Sequence, residues 1–317
     1  MNNRQRDDRS RMSREAHVRF WESAGVRSPR ATHPAPVKMH FPRPIASHPP
    51  TLPPPNLMKG VIWEICPGAD IVDISHLVAP QNLPEAALIL ARSAPYFPKG
   101  TVHVVVVDPG VGTARRPMGA RIGDWLYVGP DNGIITLLWQ RARQEGWTCE
   151  FVELNNPRFW LPKVSHVFHG RDIFAPSAAH LASGVPLLDL GARIVDPIQL
   201  DLPQPKRDAE GWRGEDINVD HFGNLASNIR VEHLGPALDQ KEEIVVQLGA
   251  TEIKGMVDTF GERPAGEVVA LLGSTGNLII SVVNGSAAGR LGAGVGDRIQ
   301  VKVPSLGADS RESSVSR

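Results

Sequence analysis

A carboxylate and a guanidinium seven positions apart, Asp108 and Arg115, bracket a glycine-rich loop that follows a strongly β-branched run. The run is Val102-His103-Val104-Val105-Val106-Val107, and Asp108-Pro109-Gly110-Val111-Gly112 follows it directly. A carboxylate placed at a strand end can accept or orient a proton, and a nearby guanidinium can pair with it. The same spacing fits equally well an ion pair that steadies a Pro-Gly turn. Further on, Phe168-His169-Gly170-Arg171-Asp172-Ile173-Phe174-Ala175-Pro176 sets a histidine at what reads as the mouth of a helix. Imidazole exchanges protons near neutral pH, so His169 is a candidate acid or base. Asp172 reads as the cap of that helix and Arg171 as a solvated charge. Asp131-Asn132-Gly133, after Gly129-Pro130, reads as a turn. Asp220-His221-Phe222-Gly223-Asn224 combines a carboxylate, an aromatic ring and an amide around one glycine.

His76, His103, Asp108 and His169 are the residues that a metal could gather. There is no HExxH and no cysteine pair at ligand spacing, so a metal-dependent hydrolase ranks last and no metal is assigned. A GxGxxG or GxxxxGK[ST] phosphate loop and a GxSxG nucleophile elbow are also missing from the sequence.

The surrounding pattern must position these groups. From Met58 to about Leu200, strand and helix alternate. Asp70–Ser75 reads as a short strand and Glu85–Ala94 as a helix after Pro84. Val102–Val107 reads as a strand buried on both faces, with a hairpin-like return through Trp125–Val128. Ile134–Gln144 and Phe174–Ser183 read as helices and Thr148–Leu154 as a strand. Such alternation predicts an α/β domain with a mainly parallel sheet. Ligands in open parallel sheets sit beyond the carboxyl ends of the strands, where Asp108 lies. Leu202-Pro203-Gln204-Pro205 marks a linker over residues 201–212. Period-two patterning then takes over at residues 243–247, 267–271, 278–282 and 297–303, which predicts a smaller β-barrel over residues 213–303.

Residues 1–57 carry ten prolines, at 29, 34, 36, 42, 44, 49, 50, 53, 54 and 55, among scattered arginines. That composition predicts disorder, with one helical turn near Val18-Arg19-Phe20-Trp21. The tail from residue 304 to 317 is polar and also expected to be disordered. Across all 317 residues, Lys+Arg and Asp+Glu both total 34, so no charge excess argues for nucleic acid or an anionic membrane. Cys66 and Cys149 are expected to be reduced. No apolar run approaches the roughly 18 residues of a membrane span, and no secretory h-region is present. A cytoplasmic protein is the expectation.

Six segments occur in one order: Met58-Lys59-Gly60-Val61, Ile71-Val72-Asp73-Ile74-Ser75-His76, the Asp108 loop, Val128-Gly129-Pro130-Asp131-Asn132-Gly133, Phe168–Asp172 and Asp220–Asn224. Together they resemble the S-adenosylmethionine (SAM) hydroxide adenosyltransferase family, adenosine-forming SAM hydrolases related to fluorinase and chlorinase. The resemblance covers about Met58 to Val303. It implies SAM as substrate, water as nucleophile, adenosine and L-methionine as products, and no separate cofactor. It implies a homotrimer with each site between the N-terminal domain of one subunit and the C-terminal domain of the next. The family's catalytic triad falls on Asp108, Arg115 and His169. The halogenases have an uncharged residue where Asp108 stands, so Asp108 points to water and not halide. By the same resemblance, Asp220 binds the methionine ammonium and Phe222 packs near sugar or base with Asn224 alongside. Ser274 meets the methionine carboxylate, and the backbone at Ser286, Ala287 and Ala288 meets adenine. Family members usually have Asn where Ser286 stands.

The front of the chain departs from the family. Members open with an apolar strand ending in Thr-Asp-Phe-Gly, whose Asp binds the ribose hydroxyls. Here Pro53-Pro54-Pro55-Asn56-Leu57 precedes Met58. An altered reading frame that replaced this strand is one expectation. The alternative to an active hydrolase is an impaired relative that binds SAM or adenosine as a non-enzymatic subunit.

Overall fold

The computed structural model of the chain describes residues 24–26, as backbone, and residues 55–304. The expected turn near Val18–Trp21 and the tail from residue 305 lie outside the described residues. The chain divides into two compact units at Leu200–Asp201.

In the first unit, a six-stranded sheet has the order β2-β1-β3-β5-β4-β6. The strands are β1 (Ala24–Val26), β2 (Ile71–Val72), β3 (Val102–Val104), β4 (Pro117–Ile122), β5 (Trp125–Pro130) and β6 (Cys149–Glu153). Helices α1 (Pro55–Ile65) and α4 (Ala175–Ala182) pack together, as do α2 (Leu83–Ser93) and α3 (Thr136–Gln144). Alternation along the strands assigns the two faces. Leu126 and Val128 of β5 join Ile62 of α1 and Ala178 of α4 in one core, and Tyr127 joins Leu90 of α2 and Leu138 of α3 in the other. Two helix layers thus sandwich the sheet. Helix α2 starts where its sequence says it should. Asn82 accepts from the Glu85 N–H at 3.2 Å and donates back to Glu85 Oε2 at 2.9 Å, with Pro84 in the first turn.

The mainly parallel sheet is not what forms. Only β3 and β5 run parallel, in the register Val102↔Leu126 to Val104↔Val128, and the other described ladders are antiparallel. The hairpin partner of β5 is β4, not the valine run (Pro117↔Pro130 through Ile122↔Trp125). The β-branched run is also shorter as a strand than its composition suggests. After Val104 the Val105 N–H still reaches the Val128 carbonyl at 3.0 Å. Pro130 has no N–H to extend the ladder, and the Val107 carbonyl is taken instead by the Asn132 side chain. β1 lies between β2 and β3, antiparallel to both, with Gly25 opposite Val72 and His103.

In the second unit, one sheet runs β11-β10-β14-β8-β9-β13-β12, with β7 (Lys206–Arg207) added to β8 (Gly211–Val219). The others are β9 (Leu225–Arg230), β10 (Val245–Leu248), β11 (Thr251–Lys254), β12 (Val268–Leu272), β13 (Asn277–Val282) and β14 (Arg298–Lys302). All the described ladders are antiparallel, and a bridge from Val257 to Leu271 brings the two edges together into a nearly closed barrel. Ile229, Ile244, Val246, Leu278, Ile280, Ile299 and Val301 fill its core.

One carboxyl lies among these buried residues. Asp216, 0% exposed at an irregularity in β8, accepts from the Asn218 N–H at 3.3 Å through one oxygen, while the other has no partner among the described residues. Burial, helped by Asp297, pushes its pKa up to about 7. The folded state therefore holds a proton that the unfolded chain releases near pH 4. Stability from this group is fully present below the unfolded pKa and is lost as pH rises through about 7. Asp216→Asn removes the titration. Thermal melts from pH 5 to 8 should show the wild type falling by up to about 1.4 kcal/mol per pH unit relative to the variant. Parallel curves for the two proteins would refute a buried, proton-holding Asp216.

Candidate active site

Two successive turns fold residues 108–115 back on themselves. The Val111 N–H donates to the Asp108 carbonyl at 3.3 Å, and Thr113 donates to the Gly110 carbonyl from both its N–H (3.1 Å) and its hydroxyl (2.7 Å). Thr113 Oγ1 in turn accepts from the Arg115 N–H at 3.3 Å. Arg115 thereby comes back over Asp108 and grips it as a fork. Nε donates to Oδ1 at 3.1 Å, and Nη2 donates to Oδ2. The side chains are only 7% and 5% exposed, and the guanidinium lies 5.3 Å from the Phe174 ring centre. Nη1 is buried and has no partner among the described residues.

His169 completes the cluster, with Nδ1 3.1 Å from Arg115 Nη2. A guanidinium only donates, so Nδ1 accepts and the ring proton sits on Nε2. Burial, and then the Arg115 charge, holds the His169 pKa below its ordinary value, against smaller upward pulls from Asp108 and Asp172. The imidazole is thus neutral at pH 7 and offers an Nε2–H donor.

The segment carrying His169 is braced from both sides. Asp172 does not cap its own helix, contrary to the sequence reading. Its carboxylate accepts from the Ser165 N–H at 2.8 Å and pairs with Arg171, which lies over the Phe168 ring and is not a free surface charge. Ser165 Oγ accepts from the Phe168 N–H at 3.1 Å, fixing the turn just before His169. A π-helical turn, Gly170–Phe174, then leads into α4, a wide turn of the kind often found at functional sites. Gly112 allows the Asp108 loop to meet this segment. It sits at φ +76°, and any Cβ there would overlap the His166 carbonyl oxygen.

His76 and His103 do not join this cluster. His76 faces Asp73, which also pairs with Lys59. His103 is buried in β3, edge-on to Phe97, and burial alone lowers its pKa to about 4. Among the described residues, no three His, Cys, Asp or Glu side chains converge as a metal would need.

In the second unit, Asp220 organises its turn: Oδ1 accepts from the Phe222 and Asn224 N–H groups, each at 2.9 Å, and Oδ2 from Asn224 Nδ2 at 2.8 Å. Phe222 is left 74% exposed. The Gly223 carbonyl accepts from the Ala288 N–H at 2.9 Å. Ser286 Oγ accepts from the Gly289 N–H at 3.0 Å and caps a short helix, α5 (Ala287–Leu291). Asp220, Phe222, Asn224, Ser286, Ala287 and Ala288 therefore share one end of the barrel. Ser274 does not join them. It lies in the β12–β13 turn, and the register Asn277↔Arg230 against Ile280↔Leu225 puts that turn at the far end of the ladder from Asn224. Five residue steps of strand separate the two ends, about 16 Å. The hydroxyl that touches Asn224 is Ser281, whose hydrogen bond to Asn224 Oδ1 the sequence analysis did not single out. Its only signal was its place in the alternating β13 pattern.

Comparison with known proteins settles the family. The SAM hydroxide adenosyltransferase N-terminal domain matches residues 53–191, and the C-terminal domain of the same family matches residues 214–300. The chain belongs to the SAM hydroxide adenosyltransferase family. It is 42% identical to the (R)-S-adenosyl-L-methionine hydrolase of Salinispora tropica over 76% of this chain and 90% of that one. It is 40% identical to the Thermus thermophilus protein of the same name, over 74% and 89% of the two chains. Among solved structures, an uncharacterized conserved protein from Thermotoga maritima superposes with a TM-score of 0.72 at 37% identity, covering 78% of this chain and 94% of that one. The triad and the Asp220–Asn224 turn both fall inside the matched family domains. No helix among the described residues is long and apolar enough to cross a membrane.

Proposed function

We propose that the chain hydrolyses S-adenosyl-L-methionine to adenosine and L-methionine by attack of water at ribose C5′. The Asp108–Arg115–His169 cluster, its ion pair almost wholly buried and His169 half-buried, carries this reading, together with the 38–42% identity to (R)-SAM hydrolases. The sulfonium is itself a good leaving group, so the reaction needs no metal and no cofactor. What the protein must supply is an aimed, desolvated water and a place for its proton.

Water oxygen forms the new bond to C5′ as the C5′–S bond breaks, its electron pair passing to sulfur to give the neutral thioether of methionine. The water's proton goes to Asp108. His169 holds Nδ1 against Arg115 and can only donate from Nε2, so it orients the water, while each Asp108 oxygen keeps a lone pair beyond the one Arg115 uses. Arg115 Nη1, buried and unpartnered among the described residues, suits the same water or the developing hydroxide. Asp220, Phe222 and Asn224, with the Ser286–Ala288 turn, form the substrate-binding set. In a homotrimer they would face the triad of a neighbouring subunit. Ser274, at the far end of the ladder, cannot reach the carboxylate of a methionine whose ammonium Asp220 holds, so Ser281 is the hydroxyl proposed at that end.

The decisive experiment is incubation with SAM in H₂¹⁸O. Equimolar adenosine and methionine are expected, with one ¹⁸O in the adenosine 5′-hydroxyl. Adenine or 5′-methylthioadenosine as products, or unlabelled adenosine, would rule out attack of water at C5′.

A further inference from the structure

The Asp131–Asn132 turn read from sequence as only a turn, yet its two side chains grip the Asp108 loop on either flank. We infer that Asp131 and Asn132 are positioning residues that set the Asp108 carboxylate and the Arg115 guanidinium in register by clamping both ends of the 108–115 loop. Asn132 Nδ2 donates to the carbonyl of Val107, the residue immediately before Asp108, at 2.9 Å. Asp131 Oδ2 accepts from Nε of Arg116, the residue immediately after Arg115, at 2.9 Å, and the Asp131 N–H donates to the Arg116 carbonyl at 2.9 Å. One dipeptide thus holds the flanking residue at each end of the loop.

The clamp is itself rigid. Asp131 is fully buried, and its other oxygen accepts from the Ile198 N–H at 2.9 Å. Tyr127 donates its hydroxyl hydrogen to the Pro130 carbonyl at 3.0 Å, and Thr136 ties the Gly133 carbonyl at 2.6 Å through its hydroxyl. The topology explains why this turn is available. β3 and β5 are the parallel pair, so the Asp108 loop and the Asp131 turn both leave the sheet at the carboxyl ends of their strands. A bidentate ion pair tolerates little sliding, and a misplacement of about 1 Å at reacting groups can cost 10²-fold in rate.

This inference rests on the reading that Asp108 and Arg115 perform the chemistry, so Asp108→Ala is assayed in parallel. Asn132→Ala should lower kcat for SAM about 10- to 100-fold with KM within about twofold, because the clamp touches the loop and not the substrate. Asn132→Asp turns an acceptor toward the Val107 carbonyl and should lose at least as much near neutral pH. Once protonated it regains a donor, so its kcat relative to wild type should recover as pH falls toward the carboxyl's own titration. If Asn132→Ala fails to fold, Asp131→Asn decides the same point by the same kcat-with-constant-KM pattern. Wild-type kcat per folded molecule in these variants, beside an inactive Asp108→Ala, overturns the clamp. An active Asp108→Ala overturns the underlying reading instead.

Discussion

Replacing Asp108 with alanine will lower adenosine formation about 10²- to 10⁴-fold, the range a positioned general base supplies. Among the described residues, Asp108 is the only carboxylate that Arg115 grips, and both side chains are almost wholly buried. Its removal therefore takes away the proton acceptor and leaves a buried guanidinium unpaired. Breaking a buried pair from one side typically costs about 3–5 kcal/mol, so lost activity in Asp108→Ala could be confused with lost fold. Asp108→Asn separates the two. The amide keeps one acceptor for Arg115 and nearly the same volume but is no base. The expected result is a folded protein, checked by thermal melting, with kcat as low as the alanine variant. An Asn variant turning over at the wild-type rate would remove Asp108 from proton transfer and leave it a structural ion pair.

Gly112→Ala is expected to have the next largest effect, and through a different link in the chain of causes. At φ +76° an L-residue is strained by about 1–2 kcal/mol, and here the added Cβ would also overlap the His166 carbonyl. The loop must therefore withdraw from the 165–169 segment, which pulls Arg115 away from His169 Nδ1. An activity loss of about 10²-fold is expected, with a lower melting temperature. Gly100 supplies the control. It sits at φ +81° with nothing near its missing Cβ, so Gly100→Ala carries the strain without the overlap. Kinetics of Gly100→Ala should stay near wild type. Equal losses in both variants would mean that backbone strain alone, and not the approach to His166, governs activity.

Much of this arrangement was legible in the residues, for identifiable reasons. The helix around Glu85–Ala94 announced itself through Pro84 at its start and its apolar content, and Ile134–Gln144 also read as a helix; the structure places them at Leu83–Ser93 and Thr136–Gln144. The strands at 245–248, 268–272, 277–282 and 298–302 followed clean alternation. β8 and β9 did not, because the barrel interior buries Asp216 and Ser227, and polar residues facing inward erase the period-two signal. Strand direction was not legible either. The valine run looked like an interior parallel strand, and it does pair in parallel with β5. Nothing local, however, revealed that Pro117–Ile122 would come between β5 and β6 as an antiparallel partner. Within the site, Asp108, Arg115 and His169 stood out by residue type. The Asp131–Asn132 clamp stayed hidden because its partners, the Val107 carbonyl and the Arg116 side chain, acquire meaning only when two strands end side by side.

The strand Ala24–Val26 lies upstream of the stretch that matches the family, which begins at residue 53, yet it fills the position between β2 and β3. A polypeptide initiated at Met58 would lack it and would also lose the first residues of α1. Such a product would carry two facing rows of open backbone amides and carbonyls in mid-sheet, one of them on the strand that leads to Asp108. Open edges of that kind recruit strands from neighbouring chains. A chain started at Met58 is therefore expected to self-associate more readily than the full chain.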